Sequence, residues 1–335
     1  MCGEFRIYLL EGNMLDTRIK LAVTCAVAAL FMTRPALALN NRSWVSHLGS
    51  DLNTCSSTDP CKTFQHAHDS TIAGGEVDAL DPGDFGLLVI TKPITIDGAN
   101  MGYIQLQAGI GQVQAAIHVN APAGSKVILR NLSLSSLPAA SDLSDGIWWT
   151  GGQYLFVEGV SVNGVEVGIE AGTTSGDLPP QLFVKDVTIR NCSNSGIFLH
   201  GPFIGGNQTA TNLKAVVDYA TIENVTAGLT VQTGRANLTH SVISHATFAG
   251  IVVTNSGVLA APGGEVNVED SSISYSKFGV FSAFAGSLVR IAGDNIHDND
   301  TGLLPSGGGL IVSFGDNRIA GNTSGETPSS TVALK

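Results

Sequence analysis

One pattern recurs along this chain at intervals of 22–32 residues between Gly146 and Gly302. Each copy is a short β-type run that ends in Ile or Val, followed by a turn of five or six residues and then by Gly with an aliphatic residue. The six Gly-aliphatic pairs are Gly168-Ile169, Gly196-Ile197, Gly228-Leu229, Gly250-Ile251, Gly279-Val280 and Gly302-Leu303. A recurrence of this length and composition predicts a solenoid in which successive β-coils stack on one another.

The composition agrees with a β-solenoid and narrows the function classes. Of the 335 residues 40 are Gly, only 13% are charged and 6% are aromatic, which suits frequent turns and small packed side chains rather than helices. The net charge is −11, and Lys and Arg occur singly. An acidic chain without basic clusters cannot neutralise a row of phosphates, so nucleic acid is not an expected partner.

The N-terminus has the three parts of an export signal: a basic region, a short apolar core and a small-x-small cleavage site. These parts are Arg18 with Lys20, Leu21–Met32 and Ala36-Leu37-Ala38. We therefore predict that residues 1–38 are a signal peptide, with Met14 as an alternative start, and that the protein is exported to the periplasm or the extracellular space. The alternative is a buried apolar segment of the domain. No other apolar run approaches ~20 residues, so the mature chain is not expected to span a membrane.

Three cysteines remain after cleavage at this site. Cys55 and Cys61 lie six residues apart, and in an exported protein they are predicted to form a short disulfide loop. The alternative is two free surface thiols. Cys192 follows a predicted strand and is expected to face the core as a small apolar residue.

The mature chain divides into three predicted parts. Residues 39–100 form an entry and capping module, in which Thr63–Ile72 is a candidate helix. A solenoid exposes apolar surface at its ends, and this helix is the candidate N-terminal cap. Residues 101–322 form the stacked coils, and the Ser/Thr/Pro-rich residues 323–335 form a mobile tail.

Alternation within one run separates inward from outward side chains. In Leu182–Ile189, Leu182 and Val184 are predicted to point inward, and Phe183 and Lys185 outward. Aligned inward residues of successive runs are Val157, Val184, Val217, Leu238, Val268 and Ile291. Aligned turn residues are Asn131, Gly159, Asp186, Tyr219, His240, Asp270 and Gly293, with Asn191 and Asn224 in a second turn column. Polar residues stacked in this way satisfy backbone groups of the turns.

These rungs resemble the right-handed parallel β-helix superfamily, the pectate-lyase-like group that includes pectate lyases, polygalacturonases, uronate epimerases and phage tailspikes. The entry module resembles that of exported bacterial β-helix repeat proteins. The residues that carry this second resemblance are Trp44-Val45-Ser46, Gly49 with Asp51, Pro60–Phe64, Asp81-Pro82-Gly83 and Ile90–Gly98. The resemblance implies an all-β fold, a single-stranded right-handed parallel β-helix of roughly ten rungs with an N-terminal cap. It implies no single activity, because the fold hosts several chemistries.

The sequence shows few of the residue groups that β-helix enzymes use for catalysis. Hydrolysis requires paired carboxyls, ~5–9.5 Å apart, yet the second outward column of the runs contains no two neighbouring acids. A lyase would need clustered oxygen ligands for Ca²⁺ beside an Arg. We therefore expect no cofactor, and Ca²⁺ only if the protein is a lyase. Asp294 and Asp316, in two copies of Gly-Asp-Asn, are weak metal candidates, and two Asx turns are the alternative interpretation.

Outward residues that follow the rung glycines form the candidate ligand face. They combine aromatic rings with hydrogen-bonding groups, as a carbohydrate site requires. The candidate ligand-binding residues are Trp148, Glu170, Phe198, His200 and Gln232. The alternative is that loops cover these aromatic residues.

Two functions remain open at this point. The first is a non-catalytic surface or periplasmic protein that binds carbohydrate, such as a polysaccharide or cell-surface glycan, or serves structurally. The second is a polysaccharide lyase, hydrolase or epimerase that acts on acidic glycans. The missing acid pairs and the missing Ca²⁺–Arg cluster favour the first function, whereas acids that converge in a groove would favour the second. The sequence indicates no oligomeric state.

Overall fold

Three long parallel sheets make up nearly all of the regular structure. The computed structural model describes residues 39–106, 115–136, 144–172, 179–201, 203–204, 207–208, 212–255 and 263–333. The predicted signal peptide lies outside these residues. Among them, no helix is long and apolar enough to cross a membrane.

Neighbouring strands within each sheet come from successive circuits of the chain. The first sheet contains, in order, β1 (Asn40–Val45), β2 (Thr71–Ala79), β5 (Ile94–Asp97), β8 (Lys126–Arg130), β11 (Tyr154–Glu158), β14 (Gln181–Lys185), β19 (Lys214–Asp218), β22 (Arg235–Thr239), β25 (Glu265–Glu269), β28 (Leu288–Ala292), β31 (Leu310–Ser313) and β33 (Ser330–Thr331). The second sheet contains β3 (Gly83–Asp84), β6 (Gly102–Leu106), β9 (Ser133–Ser136), β12 (Ser161–Asn163), β15 (Thr188–Arg190), β20 (Thr221–Glu223), β23 (Val242–Ser244), β26 (Ser272–Ser274), β29 (Asn295–His297) and β32 (Arg318–Ala320). The third sheet contains β4 (Leu88–Ile90), β7 (Ala115–Asn120), β10 (Asp145–Gly151), β13 (Ile169–Ala171), β16 (Ser195–Leu199), β21 (Ala227–Val231), β24 (Ala249–Val253), β27 (Phe278–Ala283) and β30 (Thr301–Ser306). A separate antiparallel pair is formed by β17 (Phe203–Ile204) and β18 (Asn207–Gln208).

The chain visits the first, second and third sheets in turn and then returns to the first. β11, β12 and β13 form one such circuit, and each pairs in parallel with a strand of the next circuit, β14, β15 and β16. Every circuit therefore adds one rung. This arrangement is a right-handed parallel β-helix of about ten rungs, and it confirms the predicted fold class.

Left-handed backbone at the corner between the first and second sheets makes each rung turn sharply. All seven residues of the predicted turn column have positive φ, between 47° at His240 and 65° at Gly293. Asn, Asp and Gly tolerate this conformation best. Tyr219 and His240 also adopt it, and their rings stack with centroids 5.0 Å apart. Stacking of these two rings on successive rungs offsets the lower tolerance of Tyr and His for a positive φ.

The core lies between the three sheets and follows the predicted alternation. The six predicted inward residues are at most 1% exposed and lie in register on successive strands. The rung glycine allows the third sheet to approach this core closely. A Cβ on Gly228 would lie 2.4 Å from both the Gly250 carbonyl oxygen and Ile243 Cγ2. The Gly-aliphatic signal in the sequence therefore marks close approach of neighbouring rungs.

The entry module closes one end of the core. Helix α1 spans Phe64–Asp69, shorter than the predicted 63–72, because Thr71 already begins β2. Phe64 is fully buried, with its ring centroid 5.1 Å from that of Phe85. The helix therefore contributes apolar side chains to the first rungs, as a cap requires.

The cysteines follow the prediction. Cys55 and Cys61 form a disulfide with their Cα atoms 4.6 Å apart. Cys192 is a free, buried thiol, and burial raises its pKa to about 12. A thiol with this pKa is a packing residue at neutral pH rather than a nucleophile.

The segment predicted as a mobile tail is described up to residue 333. It includes β33, which pairs with β31 and so extends the first sheet by one strand. The backbone N–H of Ser329 also donates to the Ile311 carbonyl oxygen, 2.8 Å away. The tail therefore contacts the last rung.

Candidate functional site

The outer face of the third sheet brings the five predicted ligand-binding residues together. Trp148, Glu170 and Phe198 are in direct register on β10, β13 and β16, so that successive side chains are about 4.8 Å apart. All three are half-buried. His200 and Gln232 follow β16 and β21 and lie beside this column. The aromatic residues are thus neither fully covered nor isolated.

A network of hydrogen bonds joins Glu170 to two further titratable side chains. His200 Nε2 lies 2.9 Å from Glu170 Oε1, and His200 Nδ1 lies 2.7 Å from the Gly201 carbonyl oxygen. The carboxyl group of Asp145 forms a side-chain hydrogen bond with Glu170 from the other side. We call Asp145, Glu170 and His200 the acid–histidine cluster.

Proton counting gives the net charge of the acid–histidine cluster. A backbone carbonyl only accepts, so His200 Nδ1 carries a proton and donates it to Gly201. One further proton lies between His200 and Glu170, and one between Glu170 and Asp145. With Asp145 protonated, an imidazolium beside a carboxylate and a neutral imidazole beside a carboxylic acid satisfy these bonds equally, and the fully bonded cluster has no net charge in either case. Neutrality fits its burial, because an unbalanced buried charge is costly.

Asp145 is the carboxylic acid of this cluster. The pKa of Asp145 is raised to about 9. Burial is the largest cause, followed by the charge of Glu170, the hydrogen bond between Asp145 and Glu170, and the charge of Glu166. At neutral pH Asp145 therefore keeps its proton and donates it to Glu170. The sequence prediction missed Asp145, because strict alternation from Ile147 assigns it to the inside. Ser195, which also directly precedes a rung glycine, likewise contacts the outward Thr230 of the next rung, at 3.1 Å.

His200 reaches Glu170 because a glycine lies beneath its ring. A Cβ on Gly172 would lie 2.2 Å from His200 Cε1 and 2.6 Å from Nε2. Gly172 follows β13, the strand that carries Glu170. The glycine therefore makes room for the imidazole to lean across the rung towards Glu170, and it is a part of the site that the sequence prediction missed.

Each aromatic residue beside Glu170 contacts a histidine. The rings of Trp148 and His118 are stacked, with centroids 4.3 Å apart and an interplanar angle of 19°. His118 Nε2 also lies 2.8 Å from Thr150 Oγ1, and burial lowers the pKa of His118. The centroids of Phe198 and His200 are 4.8 Å apart. His118 extends the predicted column by one rung, to a strand that precedes the recognised repeats.

The cluster has the composition of an acid–base centre. Its two carboxyl groups are directly hydrogen-bonded, which is closer than the ~5–5.5 Å that places a glycosidic bond between two carboxyls. They instead share a proton, and burial favours the protonated form of Asp145. The arrangement can accept and return a proton at Glu170, whose side chain is 20% exposed.

The candidate metal ligands Asp294 and Asp316 do not occupy one column. The register pairs Asn295 with Arg318, which places Asp294 beside Asn317 instead. Asp294 accepts hydrogen bonds from the backbone N–H groups of Ser271 and Ala292, at 2.9 and 3.1 Å. Burial raises its pKa to about 7. Asp294 thus has the turn-stabilising contacts of the Asx interpretation.

One acidic group elsewhere has ligand atoms close enough for a cation. Glu76, Asp78 and Asp97 lie on neighbouring strands of the first sheet. Arg42 binds Asp78, and Arg130 bridges Glu76 and Asp97 at 2.6 and 2.8 Å. These guanidinium groups supply the positive charge, so the group is an ion-pair network.

Comparison with known proteins gives weak similarities only. No family model matches the chain, and no curated protein matches it significantly. Among solved structures, the chain is similar to pectate lyase Pel9A, with 14% identity, a TM-score of 0.49 and coverage of 89% of this chain and 80% of that one. It is also similar to a GH136 lacto-N-biosidase from Eubacterium ramulus, with 11% identity, a TM-score of 0.41 and coverage of 96% and 71%. The structure of XylC with xylose matches at 8% identity, a TM-score of 0.42 and coverage of 81% and 68%. The fold assignment rests on the sheets of this chain.

Proposed function

We propose that this protein is exported and binds an extended glycan along the outer face of the third sheet. The observation that carries the proposal is the column of Trp148, Glu170 and Phe198 in direct register. Its spacing of about 4.8 Å per rung is similar to the repeat of a chain of pyranose rings. Aromatic side chains offer apolar surface to sugar C–H groups, and the carboxylate between them accepts hydrogen bonds from hydroxyl groups.

A neighbouring polar atom supports the same proposal. Gln232 Oε1 is buried and has no hydrogen-bond partner among the residues that the structure describes. Buried polar atoms are normally satisfied. A sugar hydroxyl that donates to Gln232 Oε1 would satisfy this atom, and the sugar would lie beside the acid–histidine cluster.

Glycan binding is tested with the Trp148→Ala and Phe198→Ala variants. Binding of neutral and uronate polysaccharides is measured by calorimetry and affinity electrophoresis, with circular dichroism as the check of folding. Each variant should bind the recognised glycan at least about tenfold more weakly, the effect of losing one aromatic platform. Tyr219→Ala, which removes an exposed ring from a corner, is the matched control and should bind normally. Unchanged binding by folded Trp148→Ala would refute the proposal.

Export is supported by the Cys55–Cys61 disulfide, since such bonds persist in oxidising compartments. The mature protein should begin near Leu39, which mass spectrometry of protein from the native host would detect. A main species that starts at Met1 or Met14 would contradict export.

A second candidate function is an enzyme that acts on the bound glycan, as a lyase, hydrolase or epimerase. The acid–histidine cluster favours it, because carboxyl groups hydrogen-bonded to each other and to a histidine are the kind of arrangement that proton transfer uses. Products are sought from uronate and neutral polysaccharides with and without Ca²⁺. If Glu170→Gln abolishes turnover and keeps binding, the protein is an enzyme; if the wild type yields no product from a glycan that it binds, it is a binding protein.

A further inference from the structure

A second candidate site lies on the outer face of the first sheet. A cavity of about 340 Å³ is lined there by Phe183, Lys214, Val216, Arg235 and Asn237, among others. A neighbouring cavity of about 360 Å³ shares Lys214 and Arg235. Both lie on a different sheet from the acid–histidine cluster. We call the first of them the first-sheet cavity.

The first-sheet cavity is locally basic in an acidic protein. Lys214 and Arg235 are exposed neighbours in register on β19 and β22. Lys214 has no ion-pair partner among the described residues, while Arg235 and Arg290 both contact Glu265, at 3.3 Å each. Three cations with one anion leave a local charge of about +2, whereas the whole chain has a net charge of −11. The local charge favours an anionic ligand.

A directional chain of hydrogen bonds ends at the cavity wall. Arg290 Nη1 lies 3.2 Å from Asn267 Oδ1 and donates to it. Asn267 Nδ2 in turn donates to Asn237 Oδ1, 2.8 Å away. The side-chain NH₂ group of Asn237 is therefore the terminal donor, and it has no acceptor among the described residues. Successive bonds polarise one another, which makes the terminal N–H group a better donor.

The part of the cavity lining that precedes Asn237 in the same outward column is apolar. Phe183 is stacked on Phe156, with centroids 4.6 Å apart and an interplanar angle of 9°, and Val216 follows in the same outward column. Donors beside apolar surface suit a ligand that carries both a carboxylate and C–H groups. An acidic sugar unit has this chemistry.

We propose that the first-sheet cavity binds a carboxylate-bearing sugar of an acidic glycan. Lys214 and Arg235 pair with the carboxylate through charge-assisted hydrogen bonds. Asn237 donates to a carboxylate or hydroxyl oxygen, and Phe183 and Val216 contact the sugar ring. An acidic peptide fits less well, because recognition of an extended peptide uses a free sheet edge and these strands are hydrogen-bonded on both sides.

The test measures binding of a short oligouronate by calorimetry at low and high salt. Lys214→Gln and Asn237→Asp should each weaken binding about tenfold, the effect of one lost charge-assisted hydrogen bond. Asn237→Asp is nearly isosteric and still accepts from Asn267, so it replaces the terminal donor by an acceptor whose negative charge also repels a carboxylate ligand. Binding to the wild type should fall as salt increases, because Lys214 is exposed.

Controls separate this site from non-specific charge and from the third-sheet face. Lys126→Gln removes an exposed cation from the same outward column, three strands away, and should change binding less than about twofold. Lys214→Gln is also measured in the Trp148→Ala background, where it should still weaken oligouronate binding about tenfold, so failure of this site and failure of the proposed function are distinguishable. Absence of binding, equal loss in Lys126→Gln, or equally tight binding of an acidic peptide of the same charge would overturn the proposal.

Discussion

Substituting Gly172 by Ala tests how His200 is held against Glu170. The added Cβ would lie 2.2 Å from His200 Cε1, a distance that forces the ring to move. The φ of Gly172 lies outside the left-handed region, so alanine strains the backbone little. The clash with His200 is therefore the dominant consequence of the substitution.

The magnitude follows from the contacts that the ring loses. A displaced imidazole gives up its 2.9 Å bond to Glu170, and a hydrogen bond to a charged group contributes about 1.5–3 kcal/mol. Replacing glycine offsets about 0.4–1 kcal/mol of this by restricting the unfolded chain. We expect Gly172→Ala to lower the free energy of unfolding by about 1–2 kcal/mol.

A double-mutant cycle makes this test specific. The free energy of unfolding is measured in urea for the wild type, Gly172→Ala, His200→Ala and the double variant. Without the imidazole the added methyl has space, so Gly172→Ala in the His200→Ala background should be neutral or stabilising by up to about 1 kcal/mol. An equal loss of stability in both backgrounds would refute the proposed positioning of His200 by Gly172.

Three further predictions concern stability and the cysteines. Because burial raises the pKa of Asp145 to about 9, the folded state holds a proton that the unfolded state loses near pH 4. The free energy of unfolding should therefore fall as pH rises from about 4 to about 9, and Asp145→Asn should flatten this dependence in urea titrations; parallel curves would contradict it. Val217→Asp should prevent folding by placing an unpaired charge in the core, whereas Lys185→Ala should be nearly neutral by circular dichroism, and equal tolerance would show that the strand alternation is wrong. Thiol counting on denatured, unreduced mature protein should find one free thiol, at Cys192, and three would exclude the disulfide in solution.

The fold could be predicted from the sequence because its determinants are local and repeated. Alternation around Val184 and Val217 identified the buried face, and the residues with left-handed backbone stood at two positions of the repeat, as Asp186 and Asn191 illustrate. These signals recur in each rung, so errors in a single rung did not change the result. The left-handed Tyr219 shows that the shared position predicts this conformation even where the residue type does not.

The candidate site could be predicted only in part, because its remaining contacts join different rungs. Trp148 and Phe198 were found from their position after the glycines. Asp145 was missed because its side chain contacts the outward Glu170, although strict alternation assigns it to the inside. Asp294 was aligned with Asp316 because Gly-Asp-Asn repeats after 22 residues, whereas the rung at that point spans 23, from Asn295 to Arg318. A one-residue difference in a connection is invisible in the motif itself.

The connections between sheets differ in how much their lengths vary. In four successive rungs the second-sheet strand begins seven residues after the first-sheet strand: Lys214 to Thr221, Arg235 to Val242, Glu265 to Ser272 and Leu288 to Asn295. The return from the third to the first sheet varies widely in the same rungs, as Ala227 to Arg235 and Ala249 to Glu265 illustrate. Insertions therefore accumulate at the corner that separates the two faces proposed to bind sugars. These segments can be lengthened or exchanged without disturbing a single stacked core residue. In this architecture ligand preference can therefore change while the ability to fold is kept.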